Sequence, residues 1–255
     1  MLEVTQLSRS YGQGATGQLA IADVTLRVED GELVTIVGPS GCGKSTLLRC
    51  VGGLIAPTSG RVVLNGTPVT NVPDRLAVVF QDYSRSLYPW LSVADNVALP
   101  LRRTVKSRGA RRDAAVAALR AVGLADAARR HPWQLSGGMQ QRVAIARALA
   151  CDPVLLLMDE PFGSVDAQTR EDLEDLLLSV RAERGITILL VTHDIDESVD
   201  AGDRVVVLTP GPGRIRAVLP VPLPSPRDQT ATKELPEFVK LRAEVSRLVR
   251  SGAQA

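Results

Sequence analysis

Apolar and polar positions alternate over residues 2–7 and again over 21–28, which predicts two strands that each bury one face. Asp30-Gly31 then turns the chain into residues 33–37, a nearly unbroken apolar run. Similar runs recur at 76–80, 154–158 and 186–191. Strands covered on both faces carry this pattern, as in a parallel sheet with helices on either side. Pro57-Thr58-Ser59-Gly60 leads into a strand at 61–64, and Asn65-Gly66 predicts a tight hairpin behind it. The periodicity is helical after the loop at 38–46 and at 93–101, 111–122 and 138–150, with Ser92 suited to an N-cap and Gly123 to a stop. These last three helices form a block between two α/β stretches and predict an inserted lobe. Asp166 suits the N-cap of a helix over 167–183, where Leu173, Leu176, Leu177 and Val180 share a face and Gly185 ends it. Strands at 205–208 and 215–218 flank Pro210-Gly211-Pro212-Gly213 as a hairpin. Residues 220–226 read as a proline-rich linker, and Phe238, Leu241, Val245 and Leu248 place one stripe on a tail helix over 236–249.

Composition narrows the picture. The 255 residues can bury a sizeable core, and 45% hydrophobic with 23% charged residues is globular in character. A net charge of +2 gives no case for nucleic acid. Cys42, Cys50 and Cys151 show neither metal-ligand spacing nor an even count for a disulfide framework, which points to a reducing compartment. The first residues lack the features of a signal peptide, and no apolar run nears the ~20 residues that span a bilayer. A cytoplasmic protein is expected, with any membrane association made through a partner.

The chemistry centres on Gly38-Pro39-Ser40-Gly41-Cys42-Gly43-Lys44-Ser45-Thr46, which joins the apolar run at 33–37 to a helix. Glycines allow consecutive backbone N–H groups to turn towards a polyanion, and the helix start adds its dipole. Lys44 supplies a charge for β- and γ-phosphates, and the Ser45 hydroxyl suits Mg²⁺. Val154–Met158 ends in Asp159-Glu160, adjacent carboxylates that need a cation or a proton. Asp159 suits Mg²⁺, directly or through water, and Glu160 is placed to polarise an attacking water. Gln81 and His193 each stand at the carboxyl end of an apolar run, where α/β sheets place ligands. The Gln81 amide could reach Mg²⁺ or a water, and His193 the γ-phosphate. Taken alone, Gln81 is better read as a solvated loop residue and a lone histidine such as His193 as structural; His131, before Pro132, has no such position. Tyr11, in the glycine-rich connection after the first strand, could stack on a base or simply be a loop tyrosine. Ser136-Gly137-Gly138 opens a helix and exposes its N–H groups: by itself a plain N-cap followed by glycines, or else a second anion site that a head-to-tail pair of chains could close over the partner's γ-phosphate. Arg102, Arg103, Lys106, Arg108, Arg111 and Arg112 form a basic cluster, either a solvated face or a contact for anionic headgroups.

Together these stretches resemble the ATPase subunit of ATP-binding cassette (ABC) transporters over nearly the whole chain. In that resemblance Tyr11 matches the adenine-stacking aromatic, Gly38–Thr46 the Walker A loop, Gln81 the Q-loop and Ser136–Gln140 the family signature. Val154–Glu160 matches Walker B with its catalytic glutamate, Ser164-Val165-Asp166 the D-loop and His193 the switch histidine. The D-loop departs from the pattern at Val165, where alanine-leucine is commoner. The resemblance implies a P-loop NTPase (RecA-like) core, an antiparallel β subdomain and the helical lobe, about 88–150, within an ATPase domain over 1–219, with linker and tail over 220–255. It implies ATP and Mg²⁺ as cofactors, with Gln140 and Asp166 joining the nucleotide contacts. The implied partners are a second copy of the chain, membrane permease subunits and, indirectly, a substrate-binding protein, which places the chain on the inner face of the cell membrane. Residues 88–93, 158–163 and 192–197 and the tail are similar to importers of nitrate, sulfonate, taurine and related anions. A soluble ABC protein acting on ribosomes or DNA would carry two cassettes or long coiled-coil insertions, and a P-loop kinase or GTPase leaves residues 135–140 unexplained. An exporter cassette would usually be fused to transmembrane helices.

Overall fold

The computed structural model describes residues 1–12, 17–82 and 86–251. It divides into two compact units, residues 1–73 with 187–255 and residues 74–186. The first unit begins with β1 (Leu2–Tyr11), β2 (Gln18–Val28), β3 (Leu33–Val37), α1 (Lys44–Val51), β4 (Ser59–Leu64) and β5 (Thr67–Pro68). The second holds β6 (Leu76–Val79), α2 (Val93–Ala98), α3 (Arg108–Ala121), α4 (Gly137–Leu149), β7 (Leu155–Asp159) and α5 (Ala167–Arg184). The chain returns to the first unit with β8 (Thr187–Val191), α6 (Ile195–Ala201), β9 (Arg204–Leu208), β10 (Ile215–Pro220), α7 (Ala231–Glu234) and α8 (Pro236–Ser251).

In the first unit β3 lies between β8 and β9, parallel to both, and β10 runs antiparallel to β9. Every residue of β3 and β8 is buried, as a parallel strand covered on both faces requires. A separate antiparallel sheet runs β2-β1-β4-β5. Its last turn places Asn65 and Gly66 at φ of 48° and 77°, the left-handed pair that a two-residue hairpin needs. The β1–β2 ladder continues to Tyr11 opposite Gln18, so Tyr11 stands at the end of a strand and not in the loop expected for it. The tip of the β9–β10 hairpin is tied to β2 by Ala22 N–H to Gly213 O and Gly213 N–H to Ala20 O, at 2.9 and 3.0 Å. The tail helix lays Phe238 and Val245 into a core with Val37, Val199, Val205, Val207, Val221 and Leu223. Arg242 adds an ion pair to Asp196 of α6.

In the second unit β6 and β7 pair in parallel, Leu76 opposite Leu155 to Val79 opposite Met158. Their entry is pinned by Val154 N–H on Arg75 O (2.8 Å) and by the Arg75–Asp152 ion pair (2.9 Å). The helices α2, α3 and α4 bury Val93, Val97, Leu119, Val143 and Ile145. Ser92, Ser107 and Ser136 each cap the helix that follows through a side-chain oxygen accepting a backbone N–H. The Ser107 cap starts α3 three residues before the expected 111. α2 stops at Ala98, before Pro100 opens a single 3₁₀ turn, instead of running to 101. No described helix is long and apolar enough to cross a membrane.

Candidate functional site

The first unit carries the glycine loop. β3 is wholly buried and delivers Gly38 at its carboxyl end, and α1 begins at Lys44 with Gly43 as N-cap at φ 93°. Leu47 N–H bonds Gly43 O at 2.8 Å, so the loop closes directly into the helix, whose first turn keeps its N–H groups outside the helical ladder. Lys44 is only 7% exposed, and its ammonium donates to Gly38 O (2.8 Å) and Pro39 O (3.1 Å). The buried cation is thereby held by two backbone carbonyls of its own loop. Glycine is required where the walls close in. A Cβ at Gly43 would lie 2.6 Å from Ala20 O, and one at Gly213 only 2.0 Å from Cys42 O. Gly41 faces open space on its Cβ side and is left-handed at φ 75°. The buried Cys42 thiol is raised above the ordinary range by burial, with Lys44 opposing.

Tyr11 reaches the same helix, its hydroxyl 3.4 Å from Thr46 Oγ1, with the Arg9 guanidinium 5.0 Å from its ring centroid. The ring remains 42% exposed, and an exposed aromatic face is what base stacking uses. His193 is exposed, two residues beyond the end of β8. Asp194 follows as N-cap of α6, accepting from Asp196 N–H (2.9 Å) and Glu197 N–H (3.2 Å), and Thr192 bonds Glu197 at 2.9 Å.

The second unit carries the carboxylates. Asp159 ends β7 and is 7% exposed, and Glu160 adopts φ 46°, left-handed for a residue with a side chain. Such backbone costs of order 1–3 kcal/mol and is kept where the surroundings impose it. They do so here: Gly163 N–H bonds Glu160 O at 3.3 Å, Gln141 Nε2 bonds Pro161 O at 2.6 Å, and Phe162 is fully buried. Gln81 Nε2 donates to Glu160 Oε2 at 3.0 Å, which brings two of the expected catalytic residues into contact.

The serine-glycine helix start and Asp166 meet in the same unit. Ser136 Oγ accepts Met139 N–H (3.3 Å), and Gln140 Nε2 donates to Pro132 O (3.0 Å) and Leu135 O (3.3 Å). Asp166 accepts Thr169 N–H (3.0 Å) and Thr169 Oγ1–H (2.8 Å), bonds that hold its carboxyl below the usual range. A Cβ at Gly138 would strike Thr169 Cγ2 at 2.4 Å, so the glycine lets α4 approach the capped start of α5. Two supporting residues went unnoticed in the sequence. One is the buried Gln141. The other is Asn96, fully buried, which donates to Tyr88 O, Leu91 O and Ser92 O and accepts Tyr88 N–H. No motif marks either, because their partners are backbone atoms elsewhere in the chain.

Among the described residues no group of three or more His, Cys, Asp or Glu could by itself cage a metal ion. The expected donors for Mg²⁺, Ser45, Gln81 and Asp159, are all oxygens, the hard ligands this ion takes. A donor set this small fits an ion that draws its other ligands from phosphate and water.

The ABC transporter family model matches residues 21–163. The chain is 48% identical over 230 residues to the nitrate import ATP-binding protein NrtD of Synechococcus elongatus, covering 89% of this chain and 83% of that one. It is 48% identical over 232 residues to the taurine import ATP-binding protein TauB of Chromobacterium violaceum, covering 89% and 88% respectively. Among solved structures, it is similar to a dimeric post-hydrolysis state of an ATP-binding cassette bound to ADP and Pi. The TM-score is 0.75 at 35% identity, covering 87% of this chain and 99% of that one.

Proposed function

The chain belongs to the ABC transporter family as one of its ATPases, and from that premise we propose that it energises uptake of a small anion of the nitrate, sulfonate or taurine class. The cargo class is carried by relatives named for nitrate and taurine import that match at 48% identity along most of their length. In this reading Tyr11 stacks on the adenine, and the N–H groups of Gly38, Ser40, Gly41, Cys42, Gly43, Ser45 and Thr46 take the phosphates, while Pro39, which has no N–H, shapes the loop between them. Lys44 moves from its two carbonyls to the β- and γ-phosphates. Ser45, Asp159 and Gln81 hold Mg²⁺, which when bound offsets charge on the phosphate oxygens. Glu160 accepts the proton of the attacking water, and His193 hydrogen-bonds the γ-phosphate. The 3.0 Å bond from Gln81 supports this role by orienting the Glu160 carboxylate. Two copies pair head to tail, each covering its partner's nucleotide with Ser136, Gly137, Gly138 and Gln140, with Asp166 beside them. ATP then acts as the ligand that favours the closed pair, and hydrolysis removes it. The partners are permease subunits, on whose inner-membrane face the chain sits, and through them a substrate-binding protein.

The test pairs steady-state hydrolysis with light scattering in ATP for the parent chain and Glu160→Gln. Loss of a general base is expected to slow hydrolysis at least ~10²-fold while nucleotide binding persists, and to leave an ATP-bound dimer. Near-parental turnover would reject the role of Glu160, and a strictly monomeric ATP-bound variant would reject the head-to-tail pair.

A further inference from the structure

Arginines with a carboxylate partner among the described residues include Arg27 with Glu29, Arg75 with Asp152, Arg103 with Asp74, Arg142 with Asp172, Arg204 with Glu32 and Arg242 with Asp196. Among those without one, several are gathered around a single concavity. In the helical part of the second unit a cavity of about 800 Å³ opens between α2, α3 and the 128–129 segment. Five arginines line it, Arg102, Arg108, Arg111, Arg112 and Arg129, against the single carboxylate of Asp95. That carboxylate is engaged by its own helix cap, with Ser92 Oγ 2.6 Å from Asp95 Oδ2. Arg111 donates to Val105 O (2.7 Å) and Lys106 O (2.9 Å), neutral acceptors that fix the guanidinium without cancelling its charge. Among the described residues, Arg102, Arg108, Arg112 and Arg129 have no carboxylate within ion-pair distance.

The walls are firmly built. Ala94 N–H bonds Ala128 O at 2.9 Å and Val93 N–H bonds Arg130 O at 2.8 Å, which ties the start of α2 to the segment that carries Arg129. α2 and α3 join through the fully buried Val93, Val97 and Leu119, so Arg108 and Arg112 are presented by a packed helix. Val116 and three alanines complete the lining. Like charges gathered around one concavity repel, a repulsion that salt screens only beyond about 10 Å. A chain with a net charge of only +2 has concentrated uncompensated positive charge at one site. A guanidinium fork matches phosphate oxygens in pairs, and a ligand with several such oxygens answers several arginines at once. The start of α3, capped by Ser107, lies in the same wall and adds a favourable dipole.

We propose that this arginine-lined cavity of the helical lobe is a second anion site, separate from the glycine loop, that takes a ligand bearing more than one phosphate oxygen pair. Two sources share that chemistry, a soluble polyphosphate and a phospholipid headgroup that carries two phosphates, as in cardiolipin.

The test uses the full chain with the glycine loop saturated by ADP, so that only other anion sites remain open. The parent is compared with the double charge reversal Arg102→Glu/Arg112→Glu, and with a control of equal charge change at exposed positions of the first unit, Arg61→Glu/Arg216→Glu. Inorganic tripolyphosphate is titrated by calorimetry, and co-sedimentation is measured with vesicles of cardiolipin and phosphatidylcholine. The cavity variant is expected to weaken binding at least ~10-fold in one or both arms, with ADP affinity and basal hydrolysis unchanged and the control close to parent. Loss in the tripolyphosphate arm alone identifies a soluble ligand, and loss in the vesicle arm alone identifies a headgroup. Equal loss in cavity variant and control would overturn the site in favour of general charge attraction. Absence of binding by the parent to both probes would overturn it outright, and would leave an acidic protein segment as the occupant to test next.

Discussion

Substituting Gly213 with alanine tests whether the β9–β10 hairpin shapes the phosphate loop from outside it. The backbone of Gly213 is not left-handed, so alanine brings no torsional strain there and acts through contact alone. Its Cβ would lie 2.0 Å from Cys42 O, 1.0 Å inside the 3.0 Å that real Cβ atoms respect. Neither side yields easily. Gly213 is hydrogen-bonded to β2 on both its N–H and its C=O, and Cys42 sits two residues before Lys44. The clash therefore displaces the loop, the hairpin or both by about an ångström. Overpacking of that kind costs typically 1–3 kcal/mol of stability. A shift of about 1 Å in a positioning element can lower rate by about 10²-fold. The expected outcome is a lower melting temperature with nucleotide affinity reduced at least ~10-fold, read by fluorescent-nucleotide titration and by thermal unfolding with and without ATP. Gly66→Ala is the comparison. It is left-handed at φ 77° with nothing within 4 Å of the added carbon, so it should lose about 1 kcal/mol of stability and keep its affinity. Parental nucleotide affinity in Gly213→Ala would refute the reasoning.

Lys44→Ala removes the buried ammonium that bridges Gly38 O and Pro39 O, and should abolish measurable ATP binding in a filter assay while the chain still melts cooperatively. Gly138→Ala meets only one atom closely, Thr169 Cγ2 at 2.4 Å; it should lose about 1–3 kcal/mol, most of it recovered by Thr169→Ser, which keeps the hydroxyl for Asp166. The same loss in the double variant, by denaturant titration, would contradict that contact. Burial pushes the Cys50 thiol up to about 11, so at pH 8 its thiolate is about a thousandth of the total; its alkylation by iodoacetamide should be slow and still accelerating between pH 9 and 10.

Much of the fold was legible because its signals are local. The buried runs became β3, β6, β7 and β8, and Asn65-Gly66 became a left-handed hairpin turn. The serine and aspartate caps appear where expected at Ser92, Ser136 and Asp166, each followed by its helix. Tyr11 differs from expectation because the apolar-polar alternation ends at residue 7, whereas the ladder to Gln18, with shifts in register after Val4, Leu7 and Arg9, carries β1 four residues further. Ser107 was overlooked as a cap because four basic residues and Gly109 within 106–112 obscure the helical period. Around the candidate site, the residues proposed to react stand out in the sequence and the residues that support them do not. Gln141, Asn96 and Gly213 act on the backbone of residues 20, 4–8 and 171 positions away, and no sequence motif connects such pairs.

The tail core includes Val37, the residue before Gly38, and Val199 of α6, a helix that starts two residues after His193. One apolar core therefore joins α8 to the last residue before the glycine loop and to the helix that follows His193. A substitution that loosens Phe238 or Val245 removes support from both at once, although it lies on neither.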